Sequence, residues 1–384
     1  MARTRIGVDV GSTAVRVAEV AAGDIPVVVR AAQVPLPPGV VEAGEVRQPE
    51  AVAVALRELW SKSGVKSKQV YLGVGNQRVV VREVALPWLP EKELRDTLGF
   101  QVQEFIPMAS DEAVLDFDPV GEMDQGGRRM VRILLVAAHR PMVSALVEAA
   151  LAAKLDPQGI DLTPFAVIRA VGTGDEGLDL DSSGDEAIVD IGAQVTSICV
   201  HDRGVTRFVR ILPSGGRDIT LALASGLGVD AEVAERLKRG EPVGTPAPEL
   251  PPPADTLPLA TRPIETLAGQ APREGVAPIP DPAEARELAL TRAGSFVDEV
   301  RSSLEFYTAQ MPNAQIGRVL VVGGGSRLDG LLELLQERLP VPVDRGRLFE
   351  RAKSEIELSA EASAEAEAVL SVAVGLAIPA RRHA

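Results

Sequence analysis

The chain has 384 residues and a formal net charge of -14 at pH 7, a length that exceeds one hydrophobic core and predicts two or more domains. Apolar residues make up 46% of the chain but aromatic residues only 3%, so the core is expected to consist of Val, Ile, Leu and Ala, as in α/β proteins. The acidic balance, without any block of Lys or Arg, excludes nucleic acid and anionic membrane surfaces as the main partner.

The first part of the chain has the periodicity of strands. Alternation and β-branched residues predict strands at Arg5–Val10, Val15–Ala21 and Ile25–Val34. A helix is expected over Pro49–Ser63 and a further strand over Val70–Gly75. This succession is typical of an α/β lobe.

The segment from Glu83 to Asp156 is expected to form a small subdomain. An apolar stripe at helical spacing predicts a helix that fills its core, and the members of that stripe are Leu94, Leu98, Val102 and Phe105. The stretch RMVRILLVAAH then predicts a strand. A helix over Pro141–Lys154 is expected to close the subdomain.

A compositional change marks residues 240–283, which contain twelve prolines together with Gly, Ala, Thr and Glu. Such a segment buries too little apolar surface to order itself, so we predict a disordered insertion. A folded domain tolerates it, because closing a loop of this length costs only about 2 kcal/mol more than closing a short turn. Beyond the insertion, the sequence predicts a long amphipathic helix, and RVLVVGGGSRLDGLLELLQERL predicts a strand, a glycine turn and a helix.

One stretch occurs twice, about half the chain apart, first as VDVGSTAVRV and then as VDIGAQVTSICV. Superposing the two copies sets Asp9 on Asp190 and Gly11 on Gly192, with the apolar residues in register. Each copy predicts a buried strand that ends near an Asp, a turn that contains Gly, and a second strand that leaves as in a hairpin.

The two predicted turns have the chemistry of a phosphate site. Each exposes backbone N–H groups beside small hydroxyl side chains, which are Ser12 and Thr13 in the first copy and Thr196 in the second. Glycine lets a phosphate approach such groups without a Cβ clash. The carboxylates of Asp9 and Asp190 would then face a metal-phosphate unit, and Mg²⁺ commonly takes one or two carboxylates.

Hairpins of this kind also occur without any ligand, so a single copy leaves both interpretations open. The turn at Gly323, Gly324 and Gly325 favours a site, because a glycine turn before a helix suits a purine or a phosphate lying against backbone. Glu235 and Lys238 share one helix face and could contact a ribose, although a surface ion pair is the commoner explanation of that spacing.

Five stretches occur in the order of the actin-like ATPase superfamily, namely VDVGSTAVRV, VDIGAQVTSICV, GGRDITLALA, ERLK and VVGGGSRLDGL. More narrowly, the chain resembles the PilM family of type IV pilus assembly, with FQVQEFIPM, VAAHRPMVSALVEAALAAKLDPQGIDLTPFAVIRA and EVRSSLEFYTAQ as further landmarks. The resemblance covers nearly the whole chain except the proline-rich insertion. It implies an α/β, actin-like two-lobed fold with duplicated ribonuclease H-like domains and a small inserted subdomain.

The resemblance also implies a division of the chain. The expected parts are a first lobe of residues 1–82 and 157–202, the small subdomain 83–156, a second-lobe core of 203–226 and 300–384, and an upper second lobe of 227–299 that contains the insertion.

ATP and Mg²⁺ are the implied cofactors. The residues that fall on the family's nucleotide-binding positions are Asp9, Gly11, Ser12, Thr13, Asp190, Gly192, Ala193, Gln194, Thr196, Gly215, Gly216, Glu235, Lys238, Gly323, Gly324 and Gly325. Asp9 and Asp190 are expected to hold Mg²⁺ through water. Relatives often carry Gln or Glu where this chain has Thr163; because Thr is a poor group for orienting water, we expect weak or absent hydrolysis.

The partner implied by the resemblance is the N-terminal cytoplasmic tail of a PilN-type inner-membrane protein, held between the first lobe and the small subdomain. Other inner-membrane components of the pilus machine and self-association are further expectations. The longest apolar run, Ala368–Ile378, is shorter than the ~20 residues of a membrane span. We therefore expect no direct membrane insertion and a cytoplasmic location, peripheral at the inner face of the plasma membrane through the partner.

Two other functions of the same superfamily are alternatives. A small-molecule kinase needs an Asp between the lobes as a base, and the sequence offers no isolated candidate with a substrate pattern around it. A filament protein of cell division would carry a C-terminal amphipathic anchor, whereas AVGLAIPARRHA lacks the lysine-interleaved polar face of one. We therefore predict a nucleotide-binding assembly module.

Overall fold

The computed structural model describes residues 4–173, 184–243, 280–311 and 314–380. These residues form two large sheets, a three-stranded sheet and a two-stranded hairpin. Most of the predicted insertion, residues 244–279, lies outside the described residues.

The elements up to residue 173 are, in chain order, β1 (Thr4–Val10), β2 (Ala14–Ala21), β3 (Val27–Pro35), β4 (Val41–Glu42), β5 (Glu45–Val46), α1 (Pro49–Ser63), β6 (Gln69–Val74), β7 (Val79–Pro87), α2 (Glu91–Gln101), β8 (Ala113–Gln125), β9 (Arg128–His139), α3 (Arg140–Ala152), β10 (Asp156–Leu162) and α4 (Thr163–Val171). The strands predicted at the start of the chain and the helix over Pro49–Ser63 are confirmed. Helix α1 begins with Pro49 and ends before Gly64, whose φ of 69° closes the helix as a left-handed cap.

The elements from residue 184 onward are β11 (Asp185–Ile191), β12 (Thr196–Asp202), β13 (Val205–Leu212), α5 (Gly216–Leu227), α6 (Ala231–Lys238), α7 (Pro282–Gln310), β14 (Ile316–Val322), α8 (Leu331–Arg338), β15 (Val343–Arg345), α9 (Leu348–Arg351), β16 (Lys353–Ser354) and α10 (Ala360–Ala377).

The two large sheets repeat one strand order. The first is β3-β2-β1-β6-β10, extended at the β3 edge by β16, and the second is β13-β12-β11-β14-β15. In each, three strands form an antiparallel meander and two more strands add in parallel beside the first of them. The duplication predicted from the repeated stretch is therefore confirmed in the topology.

Helices and sheets alternate in layers. One face of the first sheet packs against α1 and α3, and its other face packs against α4 and α10. The second sheet covers α4 and α10 from the opposite side and carries α5 to α8 on its outer face. In β11, for example, Val189 and Ile191 face the outer core and Ile188 faces α4 and α10, because successive side chains of a strand alternate. We call the first sheet with α1 and α3 the first lobe, and the second sheet with α5 to α8 the second lobe.

The small subdomain consists of α2 and a sheet of order β7-β9-β8. Leu94, Leu98 and Val102 of the predicted stripe are buried in this core and Phe105 packs half-buried against it, although the helix ends at Gln101, before the last two of these residues. The subdomain is shorter than predicted, because α3 packs against α1 and the first sheet instead. Met142 and Leu146 of α3 are buried in that core, so the subdomain spans β7 to β9.

Sheet pairing also differs from the predicted lobe boundaries. Strands β11 and β12 pair with each other and β11 pairs with β14, so residues 185–202 belong to the second lobe and not to the first. The end of the chain returns to the first sheet, where β16 pairs with β3 and α10 packs on β1 and β2. Both differences arise from long-range contacts that local sequence patterns do not report.

Helix α10 lies unusually close to its neighbours. A Cβ atom on Gly7 would lie 2.0 Å from the carbonyl oxygen of Ala373, and one on Gly375 would lie 1.8 Å from that of Ala166. Only glycine permits this approach. None of the helices in the described part of the chain combines the length and apolarity needed to cross a membrane.

Candidate functional site

A cavity of about 760 Å³ lies between the two lobes, at the carboxyl ends of β1, β11 and β14. Its walls are the three turns that follow those strands, together with residues of α4, α5, α6 and α10. A volume of this size is typical of a small-molecule site.

The two copies of the repeated stretch build equivalent turns. In the first turn the N–H of Gly11 donates to the carbonyl of Ala14 at 3.0 Å, and in the second the N–H of Gly192 donates to that of Val195 at 2.9 Å. In both, four residues separate the last paired residues of the two strands. The sequence repeat is therefore also a repeat of backbone geometry.

The N–H groups inside these turns are available to a ligand. Those of Ser12, Thr13, Ala193 and Gln194 have no acceptor among the described residues. Consecutive N–H groups of a turn that point into one space form a concavity for anions.

The two aspartates of the repeat differ in their neighbours. Arg16 donates to the Oδ2 atom of Asp9 at 3.1 Å, whereas the residue paired with Asp190 across the hairpin is Ser197. Burial raises the pKa of Asp9, and Arg16 opposes this. Burial and the nearby charge of Asp9 raise the pKa of Asp190 to about 7, with Arg16 again opposing. Because the two carboxylates disfavour each other's ionisation, a cation between them would be stabilised.

The glycine turn after β14 packs directly on the second turn. Gly323 has a φ of 86°, and a Cβ atom there would lie 2.4 Å from Oδ1 of Asp190. A Cβ atom on Gly325 would lie 2.5 Å from the Ile191 side chain. Glycine is required at both positions. A short 3-10 helix at Gly324–Arg327 lies between this turn and α8.

Glu235 and Lys238 form an ion pair in the cavity wall, in which Lys238 is buried and Glu235 is half-buried. Lys238 is 3% exposed and donates to the carbonyl of Gly216 at 3.0 Å, to Oγ1 of Thr220 at 2.9 Å and to Oε2 of Glu235 at 2.6 Å. Burial lowers the pKa of Lys238 in spite of Glu235. Burial would raise the pKa of Glu235, but Lys238, Thr220 and Arg239 together outweigh it and the pKa is lowered. Since all three ammonium hydrogens are used, Lys238 holds Glu235 in place at the cavity wall.

Most of the predicted ligand residues line the cavity. They are Asp9, Gly11, Ser12, Thr13, Asp190, Gly192, Ala193, Gln194, Gly216, Glu235, Lys238, Gly323, Gly324 and Gly325. The structure places the other two behind the second turn. Thr196 is fully buried and donates to the carbonyl of Ser214 at 2.8 Å, and the N–H of Gly215 donates to Oδ2 of Asp218 at 2.9 Å. Thr196 and Gly215 therefore support the turn and do not face the cavity.

Thr163, the predicted water-orienting position, lines the cavity at the first residue of α4. Its Oγ1 lies 2.0 Å from where a Cβ atom on Gly75 would be, so the side chain packs tightly against the end of β6. The short side chain leaves no carboxylate or amide at this position.

Sequence reasoning missed two parts of the cavity wall. Arg16 was identifiable as the only basic residue within either copy of the repeat, at the position where the second copy has Ser197. The other part is α10, which contributes Glu365 and Val369. No local signal marks these residues, because they reach the site only when the end of the chain folds back across the first sheet.

Comparison with known proteins identifies the family. The family model of type IV pilus assembly protein PilM matches residues 7–247, more than half of the chain. The chain belongs to the PilM family. A model of cell division protein FtsA also matches, over residues 187–366. The resemblance stated from the motifs is thereby confirmed.

Solved structures agree with this membership. A structure described as the PilM-PilN type IV pilus biogenesis complex is 26% identical, with a TM-score of 0.75 and coverage of 98% of both chains. Ethanolamine utilization protein EutJ from Carboxydothermus hydrogenoformans is 17% identical, with a TM-score of 0.53 over 98% of this chain and 89% of that one. MreB5 of Spiroplasma citri bound to AMPPNP is 14% identical, with a TM-score of 0.51 over 97% and 94%. The last two show the fold alone, and with the first they confirm the predicted actin-like α/β fold.

The cleft of this PilM-family chain contains groups of the kinds that bind phosphate oxygens and cations. Its donors are the free N–H groups of the two turns, which suit phosphate oxygens. Its acceptors are the carboxylates of Asp9 and Asp190, which suit a cation, and that of Glu235 at the α6 wall. Among the described residues, no group of three or more His, Cys, Asp or Glu side chains could hold a metal by itself. A cation here would therefore take further oxygens from water and from the nucleotide, and the actin-like fold makes nucleotide the expected class of ligand.

Proposed function

We propose that this protein binds ATP with Mg²⁺ between its lobes and acts as an assembly factor of a type IV pilus machine. The observation that carries the proposal is the pair of equivalent turns that face one cavity, each with an aspartate at the end of a buried strand. One such turn also occurs without ligands, but two turns aimed at one space fit a chain of phosphates.

Each wall of the cleft has a role in this proposal. The N–H groups of the two turns bind phosphate oxygens, and Asp9 and Asp190 hold Mg²⁺ through its water molecules. When bound, the cation neutralises phosphate charge. Glu235, oriented by Lys238, accepts a hydrogen bond from a ribose hydroxyl. The backbone of the Gly323–Gly325 turn lies against the purine.

Nucleotide binding is testable on the unmodified chain. Calorimetry is expected to show that ATP binds with Mg²⁺ and at least tenfold more weakly with EDTA, because the paired carboxylates repel phosphate when no cation lies between them. A ligand at a hundred times its Kd stabilises the folded form by about 2.7 kcal/mol, so melting should shift upward by several degrees. A folded sample that gives no binding heat and no shift in melting temperature would contradict the proposal.

Hydrolysis is expected to be slow, with turnover below about one per second, near the lower end of ordinary enzymes. The reason is that Thr163 offers no carboxylate or amide to orient water. Phosphate release from purified protein checks this, with Thr163→Ser as a variant of nearly equal size and Thr163→Glu as the variant expected to raise the rate. Rapid turnover by the unmodified chain would show that another residue orients the water.

We further propose that the partner is the N-terminal cytoplasmic tail of a PilN-type membrane protein, which would hold this chain at the inner face of the membrane. The structure described as the PilM-PilN complex, similar along 98% of this chain, supports the proposal. Strand β9 cannot accept a peptide along its backbone, because β7 and β8 flank it on both sides. Apolar surface is present at the seam toward the first lobe, where Val81 and Val136 are half-buried.

Binding of that tail tests the partner. A synthetic peptide of the tail is expected to bind the full chain, and Val136→Glu at the seam should weaken binding at least tenfold by placing a charge against apolar side chains. Val54→Glu on α1, where the side chain is 56% exposed, is the matched control and should leave affinity unchanged. Absence of binding by folded protein loaded with ATP would rule out the adaptor role.

A further inference from the structure

A hydrogen bond crosses the cleft between the two lobes. The backbone N–H of Ala43, in the turn between β4 and β5, donates to Oε1 of Gln194 at 2.9 Å. Gln194 belongs to the second of the two equivalent turns and lines the cavity. Its side-chain carbonyl is therefore engaged with the opposite lobe.

The tip of the β4–β5 hairpin has one defined conformation. Ala43 has a φ of 47° and Gly44 a φ of 78°, which is the pattern of a type I′ turn. A Cβ atom on Gly44 would lie 2.6 Å from the carbonyl oxygen of Gly75, so the tip is seated on the end of β6. An alanine in the left-handed region is unfavourable by itself, so surrounding contacts must hold the turn in this shape.

The base of the hairpin is held by a buried carboxylate. Glu45 is 8% exposed. It accepts from Arg78 at 3.0 Å, from Arg47 at 2.8 Å and from the Asn76 amide at 3.3 Å. Arg78 directly precedes β7, the first strand of the small subdomain. The hairpin is thus fixed both to the end of β6 and to the start of the subdomain.

On the other side of the cleft, the turn that carries Gln194 is fixed to the second lobe. The carbonyl oxygens of Gly192 and Ala193 accept from the N–H groups of Gly216 and Arg217, at 2.9 and 2.8 Å. Both ends of the cross-cleft hydrogen bond are therefore attached to rigid elements, so the bond can persist only while the lobes keep this spacing.

We propose that the side chain of Gln194 is a latch between the lobes and not a phosphate ligand. Its side chain holds the β4–β5 hairpin against the second turn and positions that turn for the ligand. Only the positioning of the second turn for nucleotide rests on the function proposed above. The latch itself is a hydrogen bond between two parts of this chain and does not depend on a ligand. Loss of one such bond should raise the open population roughly three- to tenfold.

The experiment measures lobe spacing without nucleotide. Spin labels on Val54→Cys in α1 and Glu337→Cys in α8 report the distance between the lobes, and the native Cys199 is buried and escapes labelling. Gln194→Met removes the acceptor at nearly constant size. Gln33→Met is the matched control, because Gln33 is an exposed glutamine that also lines the cleft and has no hydrogen-bond partner among the described residues.

The unmodified chain and Gln33→Met are expected to give one distribution at short distance. Gln194→Met is expected to add a second distribution at longer distance, in which the open population is roughly three- to tenfold larger than in the unmodified chain. Gln194→Glu keeps a side-chain oxygen that accepts from the Ala43 N–H, so it should give the short distribution again. If the NH₂ group of Gln194 mattered instead, Gln194→Glu would open like Gln194→Met. Hydrogen exchange of the Ala43 amide should accelerate by a similar factor in Gln194→Met, and this readout also serves if the distance change is small.

An unchanged distance distribution together with unchanged exchange at Ala43 in folded Gln194→Met would overturn the latch. Weaker ATP binding in that variant without either change would instead assign Gln194 to the phosphates. If ATP binds none of the proteins while Gln194→Met still opens, the proposed nucleotide function fails and the latch stands.

Discussion

Substituting Asp190→Asn is expected to abolish binding of Mg²⁺ and ATP and, at the same time, to make the metal-free protein more stable at pH 8. Burial and the charge of Asp9 raise the pKa of Asp190 to about 7, far above the ~3.9 of an unfolded chain. The folded protein therefore carries an unfavourable charge at pH 8 that a cation would neutralise. The neutral amide removes this penalty together with the cation site.

The sign of the pH dependence follows from the raised pKa. Between about pH 4 and 7 the folded state holds a proton on Asp190 that the unfolded state has lost, so this residue makes stability fall as pH rises. A shift of this size corresponds to about 4 kcal/mol at full effect, and partial solvent access of Asp190 reduces the expected effect to about 2 kcal/mol. In EDTA, urea unfolding should therefore show Asp190→Asn nearly equal to the unmodified chain at pH 4 and increasingly more stable than it up to pH 8.

The equivalent substitution in the other copy of the repeat is the matched control. Asp9→Asn should also lose Mg²⁺ and ATP, but it should stabilise the metal-free protein less, because it removes the 3.1 Å ion pair with Arg16 and leaves that guanidinium without its carboxylate. Equal stability changes in the two variants, or ATP binding at unmodified affinity in either, would contradict the electrostatic description of the cleft.

Substituting Glu186→Gln is expected to destabilise the protein by about 3 kcal/mol at pH 7. Glu186 is 5% exposed and accepts from the N–H of Thr173 at 2.9 Å, from Nε2 of His201 at 3.0 Å and from Nε of Arg318 at 2.5 Å. His201 accepts the N–H of Gly204 through Nδ1, so its proton lies on Nε2 and points at Glu186. The carboxylate joins the end of α4 to three strands of the second sheet.

The effect of Glu186 should vanish in acid. Burial alone would raise the pKa of Glu186, but His201, Thr173 and Arg318 lower it to about 2. A lowered pKa gives stability that is present above the unfolded value near 4.5 and is lost as pH falls through the folded value near 2.

Urea unfolding of the two proteins should therefore differ at pH 7 and converge toward pH 2. Glu58→Gln, which breaks the exposed pair with Lys62 on α1, is the control and should cost under about 0.5 kcal/mol. A constant difference across the pH range would assign the loss to packing and not to charge.

The sequence by itself determined the features that depend on neighbouring residues. Strand alternation located β1, β2 and β11, and Pro49 and Gly64 bounded α1. The Asp and Gly spacings of the repeat identified two turns that have the same length and the same closing hydrogen bond. Such patterns are readable because a turn or a strand face is set by residues within a few positions of one another.

Only the tertiary structure decided which distant segments meet. It assigned β11 and β12 to the second sheet and α3 to the first lobe, and it brought α10 to the cavity wall. It also distinguished Asp9, which pairs with Arg16, from Asp190, although the repeat makes them look alike. Burial, pKa and cross-cleft hydrogen bonds depend on the fields and contacts of residues remote in sequence, and these exist only once the layers have packed.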